Sequence, residues 1–248
     1  MKNPLQHNKR RFDALAFRIQ TLETAVDCLL NSPTYIDSDD FGFGRFNGQR
    51  FRRRIFAELL QTLSFEAIIE TGTYTGNTTG YMAKTACLPV YTCELNKIFF
   101  SIAKKRLEGI PNISFMLSDS RKFLRELAKN EVCKKNSFIY LDAHWYDDLP
   151  LKEEIGIICD NWSNFVIMVD DFQVPGDAGY GYDNYGKNRT LSLKDFAQVF
   201  AEHDLVPFFP ALPSVEETGY KQGSIILAKY GEASDKISRL NVLVQGVL

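Results

Sequence analysis

The chain has no long hydrophobic run. Its longest apolar stretches, Phe165 to Val169 and Ser224 to Ala228, are far shorter than the roughly 20 residues that a membrane-spanning helix requires. The first residues, Met1 to Arg11, are polar and do not resemble the apolar core of a secretory signal. We therefore expect a protein that neither enters a membrane nor is secreted.

The chain also lacks an excess of charge of one sign. It has 29 basic and 31 acidic residues, and its net charge of -2 offers no broad positive field to a nucleic acid. One local exception is a basic cluster with interleaved phenylalanines, formed by Arg45, Arg50, Arg52, Arg53 and Arg54. We interpret this cluster as the solvated face of a helix, with contact to an anionic substrate as the alternative.

Paired cysteines are lacking as well. The five cysteines are odd in number, and they have neither CxxC spacing nor nearby histidines that would complete a zinc site. We expect reduced thiols and a cytoplasmic location. With 45% apolar and 13% aromatic residues over 248 positions, the chain has enough material for a sizeable buried core.

What the sequence does contain is a regular alternation of short apolar strands and helices. Helical spacing is found from Arg11 to Leu30 and from Arg50 to Leu63. The predicted strands that follow are Ala67 to Glu70, Val90 to Glu94, Ile113 to Leu117, Phe138 to Asp142 and Phe165 to Asp170. Strands separated by helices of about ten residues favour right-handed crossovers and a parallel sheet covered on both faces. The sequence therefore predicts a doubly wound α/β domain over 64–248, with an N-terminal helical extension over 1–63.

The last two predicted strands differ from the first five. Leu205 to Phe209 and Gly223 to Lys229 follow a helix from Leu193 to Glu202, and little room for a helix remains between them. We therefore expect these two strands to pair antiparallel.

A glycine-rich loop follows the first predicted strand. It reads Glu70-Thr71-Gly72-Thr73-Tyr74-Thr75-Gly76, at the place where a doubly wound sheet binds its ligand. Its glycines allow close backbone approach, and Thr78 and Thr79 are expected to cap the next helix. The second strand ends at Glu94, 22 residues after Gly72, where a carboxylate can accept both hydroxyls of a ribose.

Two nucleotide cofactors compete for this loop. NAD needs the pattern G-x-G-x-x-G for its pyrophosphate, but Tyr74 occupies the place of the second glycine and Glu70 would repel the phosphates. S-adenosylmethionine carries a sulfonium and a free ammonium group, which a nearby carboxylate favours. The third strand ends with Ser118-Asp119-Ser120, which is placed to meet the amine of an adenine. We predict S-adenosylmethionine, held by Glu70, Gly72, Thr73, Tyr74, Gly76, Thr78, Glu94, Asp119 and Ser120, with a nicotinamide-dependent oxidoreductase as the alternative.

Three carboxylates end the next two predicted strands, namely Asp142, Asp170 and Asp171. Neighbouring parallel strands lie about 4.8 Å apart, so the three should converge near the cofactor loop. Unpaired, they would repel one another and raise one another's pKa, and a hard divalent cation would relieve this. Oxygen ligands suit Mg²⁺, or Mn²⁺ or Ca²⁺, better than zinc. The alternative is that Asp142 caps a helix or binds the cofactor amide, while Asp170 and Asp171 begin a turn.

Together these features resemble the class I methyltransferases that use S-adenosylmethionine. More narrowly, they resemble the metal-dependent O-methyltransferases typified by catechol O-methyltransferase, and the sugar O-methyltransferases of macrolide biosynthesis show a similar arrangement of acids. The similar segments are the loop from Glu70 to Gly76, Glu94, Ser118 to Ser120, Tyr140 to Trp145 and Val169 to Asp171. The resemblance implies a sheet of seven strands, mostly parallel, and a metal held by Asp142, Asp170 and Asp171 that activates a substrate hydroxyl.

The chain departs from this pattern just after Asp142. The catechol enzymes have a lysine base shortly after a His-Trp pair, whereas this chain has an extra Ala143 and then the acids Asp147 and Asp148. His144 titrates near neutral pH and lies two residues beyond the predicted ligand Asp142, so we predict His144 as the general base. The missing lysine leaves a non-catalytic nucleotide-binding domain as a further alternative.

The acceptor expected from this reading is a small hydroxylated molecule, such as a sugar, a phenol or a natural product. Two segments are candidate lids over it, Ser32 to Gly48 and the loop Gly176 to Gly186 with Tyr180, Tyr182 and Tyr185. The N-terminal helix is a candidate contact for a homodimer.

Overall fold

The computed structural model describes residues 44–144 and 148–248, together with Ile19, Leu22 and Glu23. The predicted N-terminal helix, with its candidate dimer contact, lies outside the described residues except for these three positions. The candidate lid from Ser32 also lies outside them up to residue 43, as do Trp145, Tyr146 and Asp147. The predicted boundary between 1–63 and 64–248 stays a prediction.

Within the described residues, eight strands form one sheet. They are β1 (Ala67–Thr71), β2 (Val90–Glu94), β3 (Ile113–Leu117), β4 (Ser137–Leu141), β5 (Phe165–Asp170), β6 (Leu205–Pro210), β7 (Ser224–Lys229) and β8 (Leu243–Gln245). Their order across the sheet is β3-β2-β1-β4-β5-β7-β6-β8. The first five strands pair in parallel, and β7 pairs antiparallel with both β5 and β6.

The predicted doubly wound, mostly parallel sheet is confirmed, but the expected count of seven strands is one too low. The additional strand, β8, pairs antiparallel with the outer edge of β6, where Phe209 lies opposite Val244. A strand of three residues is too short to show a periodic pattern, and pairing with the free edge of β6 stabilises it.

Seven α-helices cover the two faces of the sheet in the described part of the chain. They are α1 (Arg50–Thr62), α2 (Asn77–Ala86), α3 (Lys97–Arg106), α4 (Ser120–Leu127), α5 (Leu151–Asn161), α6 (Leu193–Glu202) and α7 (Glu232–Ile237). None of the helices described is long and apolar enough to cross a bilayer.

Alternate side chains of the central strands enter two separate cores. Ile69 of β1 packs with Phe123 of α4 and Ile155 of α5 in one core. Its neighbour Ile68 packs in the other core, with Phe56 of α1. This division follows from the twofold alternation of side chains along a strand, and it leaves both faces of the parallel strands buried.

An aromatic contact fixes α1 on the sheet. The ring of Phe138 on β4 is fully buried, and its centroid lies 5.0 Å from that of Phe56 and 5.8 Å from that of Phe65. Tilted and edge-on aromatic pairs at this spacing add to the free energy of apolar burial. The position of α1, and of any side chain it sends toward the strand ends, therefore depends on Phe138.

We expect Phe138→Ala to lower the free energy of unfolding by about 3–5 kcal/mol, because it leaves a cavity beneath α1. Urea unfolding followed by circular dichroism measures this change. The control is Val215→Ala, whose side chain is 80% exposed and should cost less than about 0.5 kcal/mol. Equal losses in the two variants would contradict the role of Phe138.

Candidate functional site

The predicted cofactor loop connects β1 to α2 and lies against the neighbouring strands. The amides of Gly72 and Thr73 both donate to the carbonyl oxygen of Cys93, each at 3.0 Å. Gly72 has a φ of +89°, and a Cβ there would lie 2.2 Å from the carbonyl oxygen of Asp142. Only glycine fits this position, because the loop touches the backbone that follows β4. The glycine predicted from the motif is therefore required by packing as well as by its φ.

Glu70 is buried at the end of β1 with two hydroxyl partners. Its Oε2 accepts from the hydroxyls of Thr79, at 2.5 Å, and Thr92, at 2.6 Å. Burial raises the pKa of Glu70 to about 7, although the two threonine hydroxyls act to lower it. The two hydroxyls thus hold the carboxylate in place but do not fully offset the cost of burying its negative charge. A cationic ligand would offset more of this cost.

Neither threonine caps α2, contrary to the sequence expectation. The cap residue is Gly76, and no side chain completes the cap. Thr79 donates to Glu70 instead, while the hydroxyl of Thr78 accepts from the amide of Phe46 at 3.0 Å. Thr78 therefore joins the first turn of α2 to the turn at 44–48, a long-range contact that the local sequence does not show.

Glu94 closes the cofactor loop from β2. Its Oε2 accepts from the amide of Tyr74 at 2.7 Å, and its Oε1 from the amide of Asn96 at 2.8 Å. The ring of Tyr74 lies 4.4 Å from that of Phe99, centroid to centroid. The structure thus joins Glu94 to the cofactor loop through the amide of Tyr74, a contact that the sequence pattern did not predict. Their contact with a cofactor stays a prediction.

Asp119 and Ser120 begin α4 on the other side of β2. The Oδ1 of Asp119 accepts from the amides of Arg121 and Lys122, so Asp119 is the helix cap. The guanidinium of Arg121 bridges Asp119, at 2.5 Å, and Asp148, at 2.8 Å. These contacts lower the pKa of Asp119, chiefly through the hydrogen bond from Arg121. Both residues lie at the strand end where an adenine was predicted, and that contact also stays a prediction.

Arg106 supports the cofactor loop and was not singled out from the sequence. It is buried on α3, where its guanidinium donates to the carbonyl oxygen of Thr75 at 2.5 Å and to Oδ1 of Asn77 at 3.0 Å. A basic residue among lysines on a helix gives no local signal of burial. Its role follows only from the contact between α3 and the loop.

The acid cluster lies beside this loop, at the ends of β4 and β5. One ligand atom each from Asp142, His144 and Asp171 can be chosen so that all three lie within 4.8 Å of one another. The Nε2 of His144 lies 3.5 Å from Oδ2 of Asp171, and neither ring nitrogen of His144 has a hydrogen-bond partner among the described residues. The structure therefore groups two of the predicted ligands with the predicted base.

Electrostatic repulsion is strong in this cluster. Burial, together with the neighbouring charges of Asp170 and Asp171, raises the pKa of Asp142 well above its usual range, although Arg52 acts to lower it. Burial acts to lower the pKa of His144, but the carboxylates of Asp171, Asp183 and Asp170 outweigh it and raise this pKa. A positive charge bound among these groups would relieve the repulsion.

Asp170, the remaining predicted ligand, lies behind the cluster and is fully buried. Its oxygens contact the guanidinium of Arg52, the hydroxyl of Tyr140 at 2.5 Å and the side-chain amide of Asn47 at 3.1 Å. The burial of Arg52 differs from the solvated helix face that the basic cluster suggested, because α1 turns this residue toward the strand ends. The assignment of Asp170 as a ligand stays a prediction.

Of the three loop tyrosines proposed as a lid, one adjoins the cluster. The hydroxyl of Tyr185 lies 2.9 Å from the carbonyl oxygen of His144 and 2.8 Å from Oδ2 of Asp183. Tyr182 is exposed, whereas Tyr180 is buried with its hydroxyl donating to the carbonyl oxygen of Leu212. Tyr180 therefore belongs to the core rather than to a mobile cover.

Solved structures with a similar fold include O-methyltransferases. The O-methyltransferase TomG of Streptomyces achromogenes, which is involved in tomaymycin synthesis, matches with a TM-score of 0.53 and 17% identity over 73% of this chain and 80% of its own. An O-methyltransferase from Bacillus cereus, in complex with SAH, matches with 0.52 and 16% over 85% and 89%. Cofactor-bound Rv0187 from MTB matches with 0.55 and 16% over 86% and 89%. The fold resemblance predicted from the sequence is thereby confirmed.

No protein family model matches the chain, and no curated protein matches it in sequence.

We expect the buried Glu70 to make stability depend on pH. Its pKa rises from an ordinary 4.5 to about 7 on folding, so the folded chain binds more protons than the unfolded chain between these values. The free energy of unfolding should therefore fall as pH rises from 4.5 to 7, by at most about 3 kcal/mol from this group. Glu70→Gln should flatten this part of the profile, measured by urea unfolding at several pH values. The exposed Glu202→Gln serves as the control, and an unchanged slope in Glu70→Gln would contradict the assignment.

Proposed function

We propose that this chain is an S-adenosylmethionine-dependent O-methyltransferase that uses a divalent metal ion to activate a small hydroxylated acceptor. The observation that carries the proposal is the contact between the two predicted sites. The backbone of Gly72, in the cofactor loop, lies against the carbonyl group of Asp142, in the acid cluster. A methyl donor on the loop and an acceptor at the cluster would be neighbours, and methyl transfer depends chiefly on such alignment.

The charges around the loop support S-adenosylmethionine as the donor. Glu70 and Glu94 place carboxylates at the ends of β1 and β2, and burial raises the pKa of both. A sulfonium and an ammonium group would stabilise these carboxylates, whereas a pyrophosphate would be repelled by them. Tyr74 also fills the space beside Phe99 where a dinucleotide loop would have glycine. The nicotinamide alternative therefore has no observation in its favour.

The donor set of the acid cluster fits a hard divalent cation. Asp142 and Asp171 would hold the ion, because they offer oxygen ligands whose mutual repulsion a cation relieves. A bound ion lowers the pKa of a coordinated acceptor hydroxyl and fixes its position. His144 faces the same point with both nitrogens free of hydrogen bonds among the described residues, and we assign it as the base that takes the hydroxyl proton.

Calorimetric titration tests the donor. We expect S-adenosylmethionine and its demethylated product to bind while NAD⁺ does not, and Glu94→Gln to weaken this binding by roughly tenfold or more through loss of a charged acceptor. The control Glu108→Gln makes the same substitution at an exposed glutamate, which pairs only with Lys105 among the described residues. Binding of NAD⁺ in place of S-adenosylmethionine would overturn the proposal.

Titration with Mn²⁺, followed by electron paramagnetic resonance, tests the metal and the base. Asp142→Asn and Asp171→Asn should each weaken Mn²⁺ binding by about tenfold or more, whereas Asp235→Asn on α7 should not change it. His144→Gln should leave Mn²⁺ binding within a few-fold and reduce methyl transfer by about 100-fold. A large loss of Mn²⁺ affinity in His144→Gln would instead identify His144 as a ligand.

Labelled S-adenosylmethionine with a panel of hydroxylated sugars, phenols and antibiotic-like compounds identifies the acceptor class. We expect transfer that requires Mg²⁺ or Mn²⁺ and that a chelator abolishes. Transfer that continues in the presence of the chelator would remove the metal from the mechanism and leave the cofactor assignment intact.

A further inference from the structure

The side chain of Arg52 contacts both the end of β5 and the segment that enters β7, beside the acid cluster. Its Nη1 pairs with Oδ1 of Asp170 at the end of β5. Its Nη2 donates to the carbonyl oxygens of Gln222, at 2.5 Å, and Gly223, at 3.1 Å, just before β7. The planar, forked guanidinium can serve these partners at once, which a lysine ammonium cannot do with the same geometry. Arg52 therefore fixes the end of β5 relative to the segment that enters β7.

The carboxylate of Asp170 is saturated with donors. Its Oδ1 accepts from Arg52 and from the amide of Asp171 at 2.7 Å. Its Oδ2 accepts from the hydroxyl of Tyr140 and the side-chain amide of Asn47. A carboxylate offers about four lone-pair sites, and four donors fill them here. A metal could bind Asp170 only after one of these donors was displaced.

Asp171 depends on the same support. It has a φ of 53°, in the left-handed region that side-chain-bearing residues rarely adopt. Its amide is held by Asp170, and its Oδ1 accepts from Nε2 of Gln222 at 2.6 Å. Its other oxygen, Oδ2, is the one that lies 3.5 Å from His144. The amide of Asp183 also donates to the carbonyl oxygen of Asp171, at 2.9 Å. Of the three partners of Asp171, Asp170 and Gln222 are themselves contacted by Arg52.

We propose that Arg52 and Asp170 are a positioning pair, which holds Asp171 in its strained conformation so that Asp171 and Asp142 bind the metal while Asp170 does not. The proposal rests on the metal site proposed above and differs from the ligand set Asp142, Asp170 and Asp171 that the family resemblance implies. It assigns a structural role inside the protein to Arg52, one of the five arginines of the basic cluster.

Mn²⁺ affinity of matched variants separates the two roles, because they predict opposite changes. If Asp170 positions Asp171, Arg52→Gln should weaken Mn²⁺ binding by about tenfold, the usual scale for groups that orient ligands. If Asp170 is a ligand, Arg52→Gln frees its carboxylate, and Mn²⁺ should bind as well as or better than in the wild type. The second result would overturn the proposal.

The double variant of Arg52→Gln and Asp170→Asn tests whether Mn²⁺ binding can be restored without the charges of the pair. Asp170→Asn alone leaves the Arg52 cation buried without its counter-charge, so Mn²⁺ binding should fall. Combined with Arg52→Gln, it gives a neutral pair that can still hydrogen-bond, and binding should return to within about threefold of the wild type, a departure from additivity expected for contacting residues. A double variant that binds as weakly as Asp170→Asn would show that the carboxylate itself is a ligand.

Gln222→Met keeps the experiment decisive if variants of the buried pair do not fold. It preserves side-chain volume and the backbone carbonyl that Arg52 contacts, but removes the donor to Asp171. We expect Mn²⁺ binding to weaken by about tenfold while the thermal unfolding midpoint changes little. Unchanged Mn²⁺ binding would overturn the positioning role of the network.

Binding of S-adenosylmethionine to each protein distinguishes failure of this inference from failure of the proposed function. Wild-type protein that binds S-adenosylmethionine but not Mn²⁺ would overturn the metal site and the positioning pair together, and leave the methyl donor in place. Normal Mn²⁺ binding by the wild type with no loss in Arg52→Gln and Gln222→Met would overturn only the positioning pair.

Discussion

Parallel pairing of β1 with β2 and with β4, and of β4 with β5, is the constraint on which the site depends. It places the carboxyl ends of these strands at one edge of the sheet, where Thr71 lies opposite Leu141 and Leu141 opposite Val169. The loops that follow must then pass one another closely, and Gly72 lies against the carbonyl group of Asp142 for this reason. The cofactor loop and the acid cluster are adjacent because β1 and β4 are neighbours in the strand order and end at the same edge of the sheet.

Acidic side chains lie close together at this edge of the sheet. Burial is the first cause of the raised pKa values of Glu70, Glu94, Asp142 and Asp171. Neighbouring carboxylates add to the rise for Glu70, Asp142 and Asp171. An edge of this kind favours cations. A sulfonium donor at one end and a divalent ion at the other would each relieve part of the repulsion, so one electrostatic feature accounts for both proposed ligands.

The charge of Asp170 is compensated within the protein, by the guanidinium of Arg52. The buried ion pair with Arg52 costs desolvation, and such a pair contributes more to geometry than to stability. Here the ion pair acts on the conformation of Asp171. Asp170 and Gln222 both hydrogen-bond to Asp171 and stabilise its left-handed backbone. The turn at 44–48 adds a further constraint, since Asn47 contacts Asp170 while Phe46 contacts Thr78 in the first turn of α2, just after the cofactor loop.

The sequence by itself determined the local elements and the loop that ends the first of them. The apolar runs of β2, β3 and β5 have the bounds that their patterns predicted, and the glycines and acids from Glu70 to Glu94 lie where the motif indicated. Only the tertiary structure decided which acids share a site. The burial of Arg52, its pairing with Asp170 across 118 positions of the chain, and the three-residue strand β8 all arise from contacts between distant segments. Periodicity shows which face of a helix or strand is apolar. The local sequence around a buried arginine does not differ from that around a solvated one, so the partner of Arg52 is seen only once the elements pack together.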